Sequence, residues 1–192
     1  MKPQKSYQGF SLVETIIALA VLSLMIAGVL PLAGSYLEKA KFSKAQSEVE
    51  TIIESIHNFR EDTKRYPVYT AAAGTKLDFL ESDGNDPAGK WAEANFTNLS
   101  NYLIDDPTTK NYQDSAGAID FSPTDLIQWN GPYLEEKSNF SDPWGQKYLI
   151  GVQGFYDSTD TQVWVLSAGS DMTLDTTIAS TMMGADIGKR MQ

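Results

Sequence analysis

The chain offers few side chains of the kind that enzymes use for catalysis. Its 192 residues include one histidine, His57, and no cysteine. Thiolate chemistry, disulfides and multi-histidine metal sites are therefore excluded, and a Ser-His-Asp triad would have to use His57. No Gly-x-Ser-x-Gly segment accompanies that histidine, which falls beside the apolar stripe of a predicted helix. We interpret His57 as a partly exposed helix residue.

The side chain that most needs a chemical explanation is Glu14. It stands near the start of the segment GFSLVETIIALAVLSLMIAGVLPLAG, residues 9–34, in which residues 15–33 carry no charge. An acid at the edge of such a run is by default a functional residue whose partner has to be found. No Lys or Arg lies between residues 6 and 37, so we expect the positive charge to come from a neighbouring chain. Because an unpaired acid is costly in a low-dielectric stack of helices, Glu14 is predicted to set the axial register of neighbours.

The apolar run is long enough to cross a membrane. As a helix at about 1.5 Å per residue, residues 15–33 would span roughly 28 Å, close to a hydrocarbon core of about 30 Å. Lys2 and Lys5 precede the run without any acid, which predicts a cytoplasmic N-terminus and a globular part on the far side. A cleaved secretory signal is disfavoured, because its apolar region is shorter and ends in small residues. An ordinary single-span anchor stays open, since it needs nothing from Glu14.

A proline interrupts the apolar run at position 31. Pro31 removes one backbone hydrogen bond and predicts a kink or a loosened turn of helix. Two interpretations stay open: a proline that a transmembrane helix simply tolerates, or a point where the helix melts locally when the subunit leaves the bilayer for a filament.

The helical pattern continues beyond the apolar run. Apolar residues recur at alternating spacings of three and four, which is a helical stripe: Ala45, Val49, Ile52, Ile53, Ile56 and Phe59. We predict one helix from near Phe10 to about Thr63, with Pro67 marking its end. Its second half is apolar on one face only and must dock against the downstream chain.

The downstream chain predicts a small α+β head. Residues 69–125 are dense in Gly, Asn, Asp, Ser and Thr, so we predict exposed loops with brief helices there, one of them near residues 96–104. The segments KYLIGV and QVWVLSA predict two strands joined by a hairpin connection. Five aromatic residues are expected to cover the helix stripe: Trp129, Tyr133, Trp144, Tyr148 and Trp164. The predicted fold is a long N-terminal α-helix packed on a small antiparallel β-sheet, followed by a C-terminal loop.

The charge balance excludes one class of function. The chain has 25 acidic residues against 15 Lys and Arg, for a formal net charge of −10. A general nucleic-acid binder gains affinity by neutralising phosphates with cationic side chains. We therefore expect no nucleic-acid partner.

The segment GFSLVETIIALAVL resembles the class III signal motif of type IV prepilins and type II secretion pseudopilins. The resemblance implies that a prepilin peptidase cuts between Gly9 and Phe10 and methylates the new amino group of Phe10. It implies that Glu14 attracts that amino group on the adjacent subunit, and Pro31 stands where many family members have a proline. Farther along, RYP, GPYL, DPWGQKY and LSAGSD resemble, in that order, segments of the major pseudopilin of type II secretion.

The resemblance also implies an architecture and a set of partners. Residues 1–9 would be the leader, 10–34 the transmembrane and filament-core helix, 35–66 its amphipathic continuation, and 67–192 a periplasmic head. Residues 69–125 exceed what a typical member has and would be a loop-rich insertion. Copies would pass from the inner membrane, where each spans once, into a periplasmic homopolymer with minor pseudopilins, on an inner-membrane assembly platform driven by a cytoplasmic ATPase. The chain itself would have no enzymatic activity.

Two other functions stay open at this point. A type IV pilus subunit for adhesion, motility or DNA uptake would share the N-terminal motif, although such subunits usually have a C-terminal disulfide that this chain cannot form. A membrane-tethered hydrolase would need a nucleophile and a base, and no pair of carboxylates is singled out for glycosidase chemistry.

A calcium site is a further implication of the resemblance, in the loop SAGSDMTLDTTIASTMMGADI after the last predicted strand. Its candidate ligands are the carboxylates of Asp171, Asp175 and Asp186 with the backbone carbonyl of Ala168, since Ca²⁺ takes six to eight oxygen donors. The chain departs from the family where Met172 replaces the glycine after the first acid, and where the spacing to Asp186 is longer. A solvated acidic loop without an ion stays open as the alternative.

Overall fold

The computed structural model divides the chain into two compact units, Met1–Ala40 and Lys41–Gln192. It describes residues 9–68, 76–91, 95–105, 129–135, 140–156, 163–177 and 181–191, apart from the side chains of residues 30–32. The elements follow in the order α1 (Leu12–Thr63), β1 (Phe79–Glu81), β2 (Phe96–Asn98), α2 (Ser100–Leu103), β3 (Leu149–Gly151), β4 (Trp164–Ser167) and β5 (Ile187–Arg190). The long N-terminal helix and the α+β class are confirmed. The predicted segment boundaries after residues 9, 34 and 66 stay predictions.

Helix α1 runs for 52 residues and ends close to where the sequence predicts. Its last residue, Thr63, donates its hydroxyl to the carbonyl of Phe59 at 2.7 Å and to that of Arg65 at 3.1 Å. Lys64 then adopts a left-handed conformation with φ of 57° while its N–H still bonds Arg60 at 2.8 Å. A left-handed residue directly after the last turn is a common helix stop, so the backbone turns away here before the proline is reached.

The stripe on the second half of α1 forms the centre of the core. Five of its six predicted members are buried, and Ile53 is partly buried: Ala45, Val49, Ile52, Ile56 and Phe59. All of these except Ala45 belong to one cluster with Leu80, Ile150 and Val165 of the sheet, which also includes Leu77 and Tyr148. Burying a side chain of this size stabilises the fold by about 1.5–3 kcal/mol. The predicted docking of this half of α1 on the downstream chain is confirmed.

The sheet has five strands in the order β2-β1-β3-β4-β5 and is mixed. Three of its pairings are antiparallel, as expected: β1 with β3, β3 with β4, and β4 with β5. The expectation of a fully antiparallel sheet is wrong for β1 and β2, which pair in parallel with Phe79 opposite Phe96. β1 and β2 therefore run in the same direction in the sheet.

Part of residues 69–125 is more ordered and more buried than the sequence suggests. Where this stretch is described, it supplies two strands, a helical turn and six buried apolar side chains: Leu77, Phe79, Leu80, Leu99, Tyr102 and Leu103. The prediction of exposed loops is therefore wrong for these residues. Strands of three residues are too short to show a clear alternation of apolar and polar positions. The predicted helix near residues 96–104 is limited to Ser100–Leu103, and residues 69–75, 92–94 and 106–128 lie outside the described residues.

The two strands predicted near the C-terminus are confirmed as an antiparallel pair, with Leu149 opposite Leu166. Of the aromatics expected to cover the helix stripe, Tyr148 is buried in the core, and Trp129 and Tyr133 pack against it. That expectation is wrong for Trp164, which lies in a second cluster with Phe79 and Leu174. Successive side chains of a strand point to opposite faces, so Val165 faces α1 and Trp164 faces away.

A buried carboxylate ties the DPWG turn to the end of β4. Asp142 accepts backbone N–H groups from Trp144 at 3.0 Å and Gln146 at 2.8 Å, and its other oxygen accepts the Ser167 hydroxyl at 2.6 Å. The Ser167 oxygen in turn accepts the Gly169 N–H at 3.0 Å. Burial raises the pKa of Asp142, while these hydrogen bonds oppose that rise.

Replacing Ser167 with Ala is expected to lower the free energy of unfolding by about 1–3 kcal/mol at neutral pH, because it leaves a buried carboxylate oxygen unpaired. The loss should shrink as the pH falls toward the raised pKa of Asp142, since protonation removes the buried charge and favours the folded state. Near-ultraviolet circular dichroism of the full chain in detergent, recorded during thermal unfolding between pH 7 and pH 4, measures both effects. Thr51→Ala removes an exposed hydroxyl that donates to the Ser47 carbonyl within α1, and should change little. A Ser167→Ala deficit that grows on acidification would contradict the assignment.

Candidate functional site

The N-terminus of α1 is closed by a capping box. Gly9, Phe10 and Ser11 are not helical, and the carbonyl of Ser11 accepts the first helical hydrogen bond, from Thr15 at 3.1 Å. The Ser11 hydroxyl oxygen accepts the Val13 N–H at 3.3 Å, and the Glu14 carboxylate accepts the Ser11 N–H at 3.4 Å. This reciprocal arrangement of a serine and a glutamate three residues later satisfies two N–H groups that a helix end leaves free.

The structure thus gives Glu14 a local partner, although the sequence led us to expect none nearby. That partner is a neutral backbone N–H, so the positively charged partner on a neighbouring chain stays a prediction. The pattern Ser-x-x-Glu ahead of an apolar run is a recognised sequence signal for a capping box. Residues 11–14 carry this signal, in addition to the charge of Glu14.

The first unit exposes an unusual amount of apolar surface. Its large hydrophobic side chains are mostly more than half exposed; Leu12 is 74% exposed and Leu24 76%. By length and composition, α1 is the one helix in the described chain that could cross a membrane. Exposed apolar surface of this extent marks a membrane or a subunit interface.

Polar groups inside the apolar run are satisfied within the helix itself. The hydroxyl of Thr15 donates to the Leu12 carbonyl at 2.8 Å, and that of Ser23 donates to the Leu19 carbonyl at 2.8 Å. Such internal bonds remove the cost of placing a free hydroxyl in hydrocarbon. The helical backbone continues through Pro31, whose side chain lies outside the described residues, so both interpretations of that proline stay predictions.

Asp186 is the central acid of the C-terminal loop. It is only 6% exposed, and one carboxylate oxygen, Oδ2, accepts the N–H groups of Asp175 at 3.0 Å and Thr176 at 2.6 Å. Its other oxygen, Oδ1, is buried and has no hydrogen-bond partner in the part of the chain that the structure describes. Burial raises the pKa of Asp186, with a smaller rise from the nearby Asp175 carboxylate.

Asp175 lies close to the Asp186 carboxylate, whereas Asp171 does not form a cluster with these two acids. Gly184 has φ of 63°, and a Cβ added there would lie 1.8 Å from an Asp175 carboxylate oxygen, so a larger residue would be strained and would displace that carboxylate. Asp171 is exposed, and its carboxylate accepts the N–H of Thr173 at 3.0 Å. Met172 has φ of 58°, the left-handed conformation that explains why the resemblance leads us to expect glycine at this position.

The C-terminal loop has one buried oxygen that could bind a cation, but its acids do not form a complete ligand cluster. The Oδ1 atom of Asp186 is buried and has no partner among the described residues, and a buried carboxylate oxygen needs one. Over the described residues, however, no group of three or more acidic or histidine side chains is placed to hold a metal ion. Ala168, the candidate carbonyl donor, is buried next to the turn at Gly169–Asp171. Asp175 and Asp186 are therefore the two predicted ligands that the structure brings together.

A second charged group was not anticipated from the sequence. The buried Glu81 on β1 accepts hydrogen bonds from Lys90 at 2.7 Å and Lys147 at 2.9 Å, and the same two lysines bond Asp86 at 3.0 Å and 2.9 Å. Hydrogen bonds from Lys147 and Lys90 lower the pKa of Asp86. Three of the four residues lie close together in sequence, but Lys147 is 66 positions from Glu81. No local pattern therefore reveals the complete ring, which joins β1 to the residue two before β3.

Comparison with known proteins places a family signature over the N-terminal segment. Residues 4–30 match the family model described as the prokaryotic N-terminal methylation motif. No curated protein and no solved structure matches the chain. The motif indicates a type IV pilin-like subunit, a class whose members are cut by a peptidase and assemble into filaments. The long, exposed apolar helix fits a membrane-anchored pilin, and the motif suggests a structural role.

Proposed function

We propose that the chain is the major pseudopilin of a type II secretion system. The observation that carries the proposal is the methylation motif, placed on a long apolar helix whose third residue is Glu14. The segments GPYL and DPWGQKY support a pseudopilin over a pilus subunit by resemblance, as does the lack of any cysteine for a C-terminal disulfide. Copies leave the inner membrane and polymerise in the periplasm, where the filament helps to move folded proteins through the outer membrane.

Processing precedes assembly in this scheme. A prepilin peptidase cuts between Gly9 and Phe10 and methylates the amino group of Phe10, leaving a cationic amine at the start of the helix. Glu14 of the neighbouring subunit then pairs with that amine inside the filament core. Minor pseudopilins and the inner-membrane platform take part in assembly, and the head stays on the periplasmic side.

Mass spectrometry of the protein from membranes that contain the peptidase tests the processing step. We expect loss of residues 1–9 and one methyl group on Phe10. Deletion of the gene should then abolish secretion of folded enzymes while surface pili persist. Loss of pili with normal secretion would assign the chain to a type IV pilus instead, and functional polymer that retains residues 1–9 would overturn both assignments.

We further propose that the C-terminal loop binds Ca²⁺ through Asp186 and Asp175, with Asp171 and the Ala168 carbonyl as additional candidate donors. Millimolar Ca²⁺ should raise the melting temperature of the full chain in detergent, because an ion that binds only the folded loop stabilises it by linkage. Asp186→Asn should remove this calcium-dependent rise. The melting temperature is measured by near-ultraviolet circular dichroism. Glu54→Gln, which removes an exposed acid of α1, is the matched control and should keep the rise. Equal melting of the wild type with Ca²⁺ and with chelator would favour the ion-free acidic loop.

A further inference from the structure

The peptide bond between Gly9 and Phe10, which the proposed processing would cut, lies just before the start of α1. Gly9 and Phe10 have non-helical backbone, and α1 begins at Leu12, two residues beyond the bond between them. A peptide bond inside a helix has to be unwound before a peptidase can bind it, so the cleavage rate follows the population of the unwound form. The position of the helix start therefore bears directly on processing.

Ser11 is the residue that fixes this start. Its carbonyl accepts the first helical hydrogen bond, its hydroxyl oxygen accepts the Val13 N–H, and its own N–H is held by the Glu14 carboxylate. With its N–H bonded to Glu14, Ser11 has no N–H free for a helical bond to a carbonyl farther upstream. The cap thus defines the first turn and at the same time opposes extension of the helix through Phe10.

The sequence upstream would otherwise permit such an extension. Gln4, Tyr7 and Gln8 do not break helices, and Ser6 is the next residue upstream of a type that caps them. A helix that started after Ser6 would enclose the bond between Gly9 and Phe10 in its first turn. Gly9 weakens that extension without forbidding it, because glycine lowers helix stability only moderately.

We propose that Ser11 is a positioning residue for removal of the leader, an inference that rests on the proposed function. By capping α1, it holds the Gly9–Phe10 bond in extended backbone where the peptidase can bind it. In the hydrolysis, the amide bond between the Gly9 carbonyl carbon and the Phe10 nitrogen breaks. The water oxygen becomes part of the Gly9 carboxylate, and the Phe10 nitrogen becomes the free amine. Ser11 does not touch the reacting atoms and acts only through the backbone that precedes it.

Timed cleavage of the full-length precursor in membranes containing the prepilin peptidase tests the proposal, with intact mass as the readout. Ser11→Ala removes the capping hydroxyl, keeps the N–H that Glu14 accepts, and introduces the strongest helix former. It should slow cleavage by about two- to thirty-fold, the range by which an N-cap side chain shifts a helix boundary. Ser11→Asn and Ser11→Thr keep a capping oxygen and should stay close to the wild-type rate. Ser23→Ala, which removes a hydroxyl bonded to Leu19 within the same helix, is the matched control and should have no effect.

A second readout follows the backbone rather than the rate. In nuclear magnetic resonance spectra of the precursor in micelles, the chemical shifts of Gly9 and Phe10 should be non-helical in the wild type and in Ser11→Asn, and should move toward helical values in Ser11→Ala. Wild-type cleavage rates in Ser11→Ala would overturn the inference while leaving the proposed function intact. Equal slowing in all three Ser11 variants would also overturn it, because the peptidase would then recognise the serine itself. A wild-type precursor that is not cut after Gly9 would instead remove the proposed function, and this inference with it.

Discussion

Glu14→Ala is expected to leave membrane insertion intact and to reduce filament assembly by about two to four orders of magnitude. In the proposed filament core, the cationic amine of Phe10 loses its counter-ion, and an uncompensated buried charge costs about 3–5 kcal/mol. At about 1.4 kcal/mol per factor of ten, that loss accounts for the expected drop in the association constant. Insertion is spared, because the uncharged residues 15–33 supply several kcal/mol of favourable transfer free energy and the acid itself opposes insertion.

Glu14→Gln separates the charge of this residue from its hydrogen bond. A glutamine at the third position of the helix still accepts the Ser11 N–H, so the capping box can persist while the ion pair is lost. We expect this variant to insert and to assemble as poorly as Glu14→Ala, whereas Glu54→Ala, which removes an exposed acid from the same helix, should assemble. Chemical cross-linking of membranes followed by quantification of oligomer ladders measures assembly, and alkaline extraction measures insertion. Undiminished polymer in Glu14→Gln would assign the role of this residue to the capping box alone.

Helix α1 can be predicted from the sequence, because apolar residues follow the helical pattern over many turns. Residues 15–33 are apolar on every side, and the stripe from Ala45 to Phe59 repeats with helical spacing over several turns. The helix end at Thr63 needs only a left-handed residue and a hydroxyl, both local features. Long periodic segments therefore yield both the element and the face that it buries.

The sheet is harder to predict, because its strands have three or four residues and its contacts join distant parts of the chain. The parallel pairing of β1 with β2 depends on the path of the intervening residues, which no periodicity records. The hydrogen bond from the Tyr148 hydroxyl to the Glu48 carboxylate, at 2.7 Å, links residues that are 100 positions apart. The position of Trp164 is equally hard to predict. Which side of the sheet this residue faces depends on the register of β4, not on its being a tryptophan.

The N-terminal part of the candidate site can be predicted from the sequence, and the C-terminal loop only in part. Gly9, Phe10 and Glu14 form a contiguous motif, and a family model covering residues 4–30 matches it. The acids of the C-terminal loop are spread over 16 residues, from Asp171 to Asp186, so their composition suggests oxygen donors without fixing which of them meet. The structure adds that Asp186 holds the backbone of residues 175 and 176, a role that the spacing did not indicate.

Phe59→Ala is expected to have the largest effect on the stability of the head. The Phe59 side chain is fully buried on the sheet-facing side of α1, with its ring edge-on to Tyr102 at 5.8 Å and to Tyr133 at 5.9 Å between centroids. Truncating a buried phenylalanine to alanine costs about 3–5 kcal/mol, because apolar contacts are lost and a cavity remains. For a domain of this size, the loss corresponds to a fall in melting temperature of about 6–20 °C.

Phe42→Ala provides the matched control for this prediction, since it makes the same substitution on the same helix at a side chain that is 46% exposed. Near-ultraviolet circular dichroism of the full chain in detergent reports on the aromatic residues of the head, and we expect Phe42→Ala to melt within a few degrees of the wild type. The apolar run of α1 is unaffected by either change, so both variants should remain in the membrane fraction. Equal melting temperatures for the two variants would contradict the docking of the second half of α1 through Phe59. The cost of the cavity arises only where the side chain is tightly packed against a neighbouring layer.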